Sequence, residues 1–334
     1  MISNQFNQRG VALILVLLMI SIIVAVTIQL NRSTRSEVYE AANLSDGIRM
    51  GYVAESAFYA GEAILLADKN QFDALTEDWA KTEMLALKSE ELFDNGSFKL
   101  LIEDEGGKIP INKLVSGNEV NGTIRDLLLR LLTGSDFHLP RDQAGNIVAA
   151  IIDWIDTNEE VTNDSATGTG AETGYYEGLE RPYAAKNAPL DCIEELLMVK
   201  GITRELFYGT GESPGLVSCL TVFGDVSAVK ININTAPKPV LRALATPEMT
   251  DDLVEALDEY RRDEKNKLDE PAWYTRVPGA AGLIIPAGLT ATVRSDTFRI
   301  TAVGLQGRMT QRITAIVKRE SDRRKVKLLS WRVE

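Results

Sequence analysis

Gly10-Val11-Ala12-Leu13-Ile14-Leu15-Val16-Leu17-Leu18-Met19 opens a run that stays mostly apolar as far as Leu30. Positions 11 to 30 hold no charge, with Arg9 just before them and Arg32 just after. At ~1.5 Å per residue a helix of this length covers a ~30 Å hydrocarbon core. A secretory signal would have a shorter core of ~7–15 residues and a small-residue cleavage site behind it. Here the chain runs straight on into Gln29-Leu30-Asn31-Arg32-Ser33. The reading is a retained N-terminal membrane helix with a large body hung on it. Arg9 fits an inside N-terminus, while Arg32 and Arg35 pull the other way.

The helix is expected to continue past the membrane. Val38, Ala41, Leu44, Ile48 and Tyr52 recur every three or four residues, and Tyr59, Ala63 and Leu66 extend the stripe. This predicts one helix over 11–67, its second half packed on the body. Small residues such as Ala54, Ala57, Ala60 and Gly61 allow a sheet or a neighbouring helix to come close. Phe72 to Leu87 lacks Gly and Pro and predicts a further helix, closed by a turn at Asn95-Gly96. Phe98, Leu100 and Ile102 then alternate as a strand, and Lys108 to Asn112 reads as a second extended piece.

From about 115 the pattern turns helical: Ile124–Leu132, Asp142–Ile155, Ile193–Val199 behind Asp191 as N-cap, Thr203–Tyr208, Val240–Leu244 and Asp251–Arg262. Strands return with Phe298, Ile300 and Ala302, a hairpin at Gly304–Gly307, then Ile313, Ala315 and Val317, and last Val326 to Val333. The expected fold is α+β: an N-terminal helix on an antiparallel sheet, with a large all-α domain inserted between its strands.

A net charge of −12 opposes binding to nucleic-acid phosphates. The single histidine, His138, and the lack of a G-x-S-x-G elbow argue against a membrane-anchored hydrolase. Two cysteines, Cys192 and Cys219, suggest one bridge in an oxidising compartment, worth about 3–4 kcal/mol in the chain-entropy model. The alternative is two buried free thiols. Between Asp153 and Asp191 lies a loop rich in hard oxygen donors: Asp153, Asp156, Asn158, Glu159, Glu160, Asp164 and Glu172. Such donors suit calcium, which takes six to eight oxygens, and a divalent ion would order so long a loop. It is not an EF-hand, because Val161 stands where the loop glycine belongs and Thr167 where the closing Glu belongs. A solvated acidic loop is the other reading.

Several motifs point one way. Residues 1–10 (MISNQFNQRG) are polar and end in Arg9-Gly10, and the position five residues past Gly10 is Leu15. Downstream come Asp104-Glu105-Gly106-Gly107-Lys108-Ile109-Pro110-Ile111-Asn112, Ile151-Ile152-Asp153-Trp154-Ile155-Asp156, Gly170-Ala171-Glu172 with Tyr175-Tyr176, Ile231-Asn232-Ile233-Asn234-Thr235-Ala236 and Ser330-Trp331-Arg332. The prefix resembles the leader of type IV pilins and pseudopilins, and the whole chain resembles the K-class minor pseudopilins of type II secretion.

The resemblance implies cleavage by a prepilin peptidase between Gly10 and Val11, followed by methylation. It implies a non-enzymatic subunit of the inner membrane, single-pass, with its body in the periplasm. Its implied partners are the I-class and J-class minor pseudopilins and the major pseudopilin. Most pilins carry Glu where this chain has Leu15. A subunit without that carboxylate lacks the drive to insert beneath a neighbour, and so suits the first, tip position. The domains expected are a leader at 1–10, a membrane segment at 11–30, pilin-like parts at 31–115 and 291–334, and the helical insert at 116–290. Related inserts carry calcium. The runner-up is a minor pilin of a DNA-uptake or adhesion pilus. Leu197–Ile202 and Ile233–Ala236 resemble helix-hairpin-helix units, which also serve as protein-packing modules.

Overall fold

A helix of 60 residues, α1 (Gln8–Ala67), carries the chain from the apolar run to the body. The computed structural model describes residues 8–93, 96–164, 168–211, 213–224, 229–246, 249–307, 309–320 and 325–334. Residues 1–7 of the expected leader, and Asn95 of the expected turn, lie outside these. The first half of α1 is long and apolar enough to cross a membrane, and none of it is buried by protein. Its hydroxyls are turned inward. Ser21 donates to the Leu17 carbonyl at 2.8 Å and Thr27 to that of Ile23 at 2.7 Å, which spares them from facing lipid.

The second half of α1 packs on a four-stranded antiparallel sheet. Its strands, in spatial order, are β1 (Ser97–Asp104), β2 (Thr297–Gln306), β3 (Met309–Arg319) and β4 (Val326–Val333). The alternation read from sequence sets the core. Phe98, Leu100 and Ile102, Phe298, Ile300 and Ala302, and Ile313, Ala315 and Val317 meet Met50, Val53, Ala54, Ala57, Phe58 and Leu65 of the helix. Gly304 is where the backbones come closest: a Cβ there would stand 2.4 Å from the Met50 carbonyl oxygen.

The helix expected over Phe72–Leu87 is mostly absent. Only α2 (Glu83–Lys88) is α-helical, flanked by 3-10 turns at Asp78–Ala80 and Ser89–Glu91. The upstream backbone bonds elsewhere. Asn70 accepts from the Phe72 N–H and Glu77 from that of Ala74, while the Asp73 N–H goes to the Val293 carbonyl. Side chains and a distant strand end outbid the helical ladder.

Between β1 and β2 sits the insert. It holds α3 (Gly122–Thr133), α4 (Arg141–Ile155), α5 (Thr173–Glu177), α6 (Arg204–Tyr208), α7 (Leu216–Cys219), α8 (Lys238–Leu244) and α9 (Asp251–Arg262). One core unites Leu127, Leu128 and Leu131 with Ile147, Ile151, Trp154, Leu241, Leu257 and Trp273. The insert is not purely helical. Val229–Asn232 pairs in parallel with Leu289–Thr292, Ile109–Pro110 with Leu220–Thr221, and two short antiparallel ribbons add to these. Ile109, Ile111, Leu114 and Val115, and at the far end Leu289 and Val293, lie in the insert's core and not the sheet's.

The two cores meet at Asp104. Its buried carboxylate accepts from Asn232 (2.9 Å), Ser295 (2.6 Å), the Thr235 hydroxyl and the Gly106 N–H (2.6 Å). The expected bridge between Cys192 and Cys219 is not formed. Both are free thiols, Cys219 inside the insert's core and Cys192 exposed as the N-cap of the Ile193–Met198 3-10 helix. Asp191 is therefore not the cap, and the Glu195 carboxylate accepts from the N–H groups of both Asp191 and Cys192.

Candidate metal centre

Helix α4 ends in Asp153-Trp154-Ile155-Asp156. Three-residue spacing puts both carboxylates on one face of the last turn. That is the end of a helix where its dipole is negative, so the pair is badly placed unless a positive charge joins it. The chain then returns through Gly168–Thr169 to Glu172, the N-cap of α5. Gly170 makes this return possible, since a Cβ there would lie 2.1 Å from Asp153 Oδ2 and 2.8 Å from the Ala149 carbonyl.

Asp153, Asp156 and Glu172 are all buried, at 0%, 4% and 4% exposure, and offer oxygens within 4.8 Å of one another. Asp153 Oδ1 accepts from the Thr162 N–H at 3.0 Å and Asp156 Oδ1 from the Asn158 N–H at 3.3 Å. Asp153 Oδ2 and both Glu172 oxygens are buried with no hydrogen-bond partner. Among the described residues no Lys or Arg is ion-paired with any of the three. Lys200, nearby, gives its ammonium to the Gly170 carbonyl (3.0 Å) and the Tyr175 ring.

Burial, and then mutual repulsion, drives the protons on. Burial lifts Asp153 above the usual carboxylate range. Burial, with Asp153 and Glu159 adding, pushes Asp156 up to about 6. Burial, with Asp153, Asp156 and Glu159 adding, pushes Glu172 up to about 8. Three buried carboxylates with unmet lone pairs fit a hard divalent cation better than any internal group on offer.

The other residues singled out from sequence make contacts of their own. Glu159 is exposed and accepts from Thr173 (3.1 Å) and Asn187 (2.8 Å). The Asn158 carboxamide oxygen accepts from the Glu160 N–H at 2.7 Å. Glu160 and Asp164 are exposed, and Asp164 lies 3.9 Å from Arg125. Thr167 is outside the described residues. Sequence reading missed Asn187, whose Oδ1 is buried without a partner and whose φ is +50°. Its only signal was an Asn-Ala-Pro turn, Asn being one of the few residues at ease with positive φ.

A second acidic cluster, Asp68, Asp73 and Glu77, has the same closeness of oxygens. It is closed by the chain itself. Arg319, buried beneath the Phe298 ring, pairs with Asp68 at 2.7 Å and with Asp73. Gly10, Val11 and Leu15 all stand exposed on α1, away from the body.

Two segments match family profiles described as type II secretion system protein K, residues 107–208 and residues 231–269. The type II secretion system protein K of Aeromonas hydrophila is 24% identical over 342 aligned positions, covering 96% of both chains. That of Pseudomonas aeruginosa is 26% identical, covering 75% of this chain and 72% of its own. Both profiles and both relatives point to the type II secretion protein K family, the K-class minor pseudopilins. The fold agrees. A crystal structure of a GspK–GspI–GspJ complex from the enterotoxigenic Escherichia coli type 2 secretion system matches with a TM-score of 0.63 at 17% identity, over 89% of this chain and 99% of that one. The profile-matched segment 107–208 contains the whole carboxylate triad.

Proposed function

We propose that this chain is a K-class minor pseudopilin that forms the tip of a type II secretion pseudopilus, anchored in the inner membrane with its body in the periplasm. There it starts or caps the fibre together with I-class and J-class minor pseudopilins, above the major pseudopilin. The crystal structure it resembles in fold holds GspK together with GspI and GspJ, which supports this choice of partners. The observation that carries the reading is α1. Its charge-free half stands clear of the body, and the position five past Gly10 is Leu15, so no carboxylate there draws the helix beneath a neighbour. A DNA-uptake or adhesion pilus is not favoured, since the relatives named above are secretion proteins and the net charge is −12.

Mass spectrometry of the mature chain tests the processing step. A methylated N-terminus at Val11 is expected, cut by a prepilin peptidase. An uncut chain, or a cut beyond Leu30, removes the pilin-class reading.

Calcium belongs to the same proposal. Asp153, Asp156 and Glu172 would hold it, with Asn187 Oδ1 as a further oxygen. When bound it would supply the positive charge that this helix end lacks. The insert that fills the tip would then be ordered at α4 and α5 by an ion more abundant outside the cytoplasm. Chelator should lower the melting temperature of the full-length protein in detergent, and an unchanged value removes calcium from the proposal.

A further inference from the structure

The sheet's two edges are finished differently. Along β1 the outer edge is covered by side chains of the segment around α2. The Thr82 hydroxyl donates to the Leu100 carbonyl, and the Ser89 hydroxyl accepts from the Phe98 N–H at 2.9 Å. Along β4 no further strand pairs among the described residues. Seven of its eight residues are exposed, including Leu328, Leu329, Trp331 and Val333 at 38–53%. The register shows which groups are open. Arg312 and Glu334 exchange both backbone hydrogen bonds, at 2.8 and 2.9 Å. By antiparallel alternation Arg332, opposite Thr314, does likewise, so Trp331 and Val333 turn N–H and C=O outward.

A long, bare edge with apolar side chains is what folded proteins avoid unless something pairs with it. The charge on this edge says what. Residues 325–334 hold Lys325, Lys327 and Arg332 against Glu334, a net of +2 in a chain whose total is −12. Lys325 and Lys327 stand at the strand's start, while Arg332 near its end is already paired with Glu194 (2.9 Å) and Glu334 (2.7 Å). Two copies paired antiparallel through β4 would set basic residues against basic residues. An acidic strand would be drawn in.

We propose that β4 is a docking edge that takes an acidic extended strand from a neighbouring pilin-like subunit, extending the sheet by one strand. This rests on the tip-complex reading and adds to it a second contact besides packing along α1.

The test uses the full-length chain co-expressed with its I-class and J-class partners and extracted in detergent. Amide hydrogen exchange at Trp331 and Val333 should slow about tenfold or more in the complex relative to the chain alone. The charge reversal Lys325→Glu with Lys327→Glu should cut co-purification of the partner about tenfold at low salt, a difference that added salt erases. Val333→Pro removes only an outward N–H and should act the same way, with the melting temperature of the isolated chain unchanged. Should the partners co-purify and protect α1 while β4 exchanges as before, the edge proposal fails and the tip reading stands. Slowing at β4 in the chain alone at high concentration would mean self-pairing and also overturns it. Failure of wild type to bring down any partner defeats the tip reading, and the edge with it.

Discussion

Two acidic clusters in this protein have the same make-up and opposite fates. Asp68, Asp73 and Glu77 sit beside the sheet, and Asp153, Asp156 and Glu172 sit in the insert, each set with oxygens within 4.8 Å. The first carries its own cation, since β3 ends in Arg319 and feeds the guanidinium between Asp68 and Asp73. Among the described residues no Lys or Arg is ion-paired with the second, and its unmet oxygens are buried. The difference teaches that acid clustering is not by itself what marks a candidate ion site. What marks it is negative charge that the chain has gathered and left unpaid.

The sharpest way to break the comparison is to make the first cluster like the second. Arg319→Met removes the guanidinium that pairs with Asp73, itself fully buried. Removing one member of a buried pair costs about 3–5 kcal/mol. That is a large part of a typical stability of ~5–15 kcal/mol. Denaturant unfolding of the full-length protein should show it, and calcium should not rescue it. A variant that unfolds like wild type would mean the pair is not what holds the α1–sheet junction.

The next effect belongs to the triad. Calcium at a hundredfold excess over its dissociation constant should add about 2.7 kcal/mol. Asp153→Asn and Glu172→Gln should each abolish that gain, and Glu172→Gln should also stabilise the metal-free protein. Asp68→Asn should leave the calcium response in place. Loss of the response there as well would erase the contrast between the clusters.

The pH dependence follows with its sign. Asp156 and Glu172 have folded values pushed to about 6 and about 8, above their ordinary ones. Their protonated forms are favoured by folding, so this contribution is present at low pH and fades as pH rises through those values. The metal-free protein should therefore melt higher at pH 5 than at pH 8. Calcium should flatten or reverse the trend, because it competes with the same protons. Melting curves at both pH values with and without chelator decide this.

Much of the fold was legible because its signals are local. The charge-free run at 11–30, the alternation of Phe98, Leu100 and Ile102, and the 3.6-residue stripe of Asp251–Arg262 each need only neighbours in sequence. What failed depended on distant chain. Phe72–Leu87 read as helix because nothing local shows that Asp73 is taken by Val293 and Arg319. The bridge between Cys192 and Cys219 was plausible by count alone, whereas the insert's core claims Cys219. At the candidate metal centre the spacing of Asp153 and Asp156 on one helix face was readable. That Glu172 joins them while Glu160 and Asp164 stay in solvent is set by the return past Gly170, which no spacing announces. Asn187, the further oxygen proposed above, sits at a positive φ that shows only in three dimensions.

The smallest effect lies at Lys200, the nearest thing the second cluster has to an internal cation. Its charge draws the Asp153 proton off slightly, against the larger push of burial. Its ammonium is held by the Gly170 carbonyl, so it shares the site's field without entering it. Lys200→Met should remove a positive charge that repels an incoming cation. Calcium should then bind a few-fold more tightly, on the order of 0.5–1 kcal/mol, with the gain shrinking as salt rises. Isothermal titration at two ionic strengths measures both. A variant that binds more weakly would show that Lys200 serves the triad by holding the Gly170 turn in place, and that its charge counts for less than its hydrogen bond.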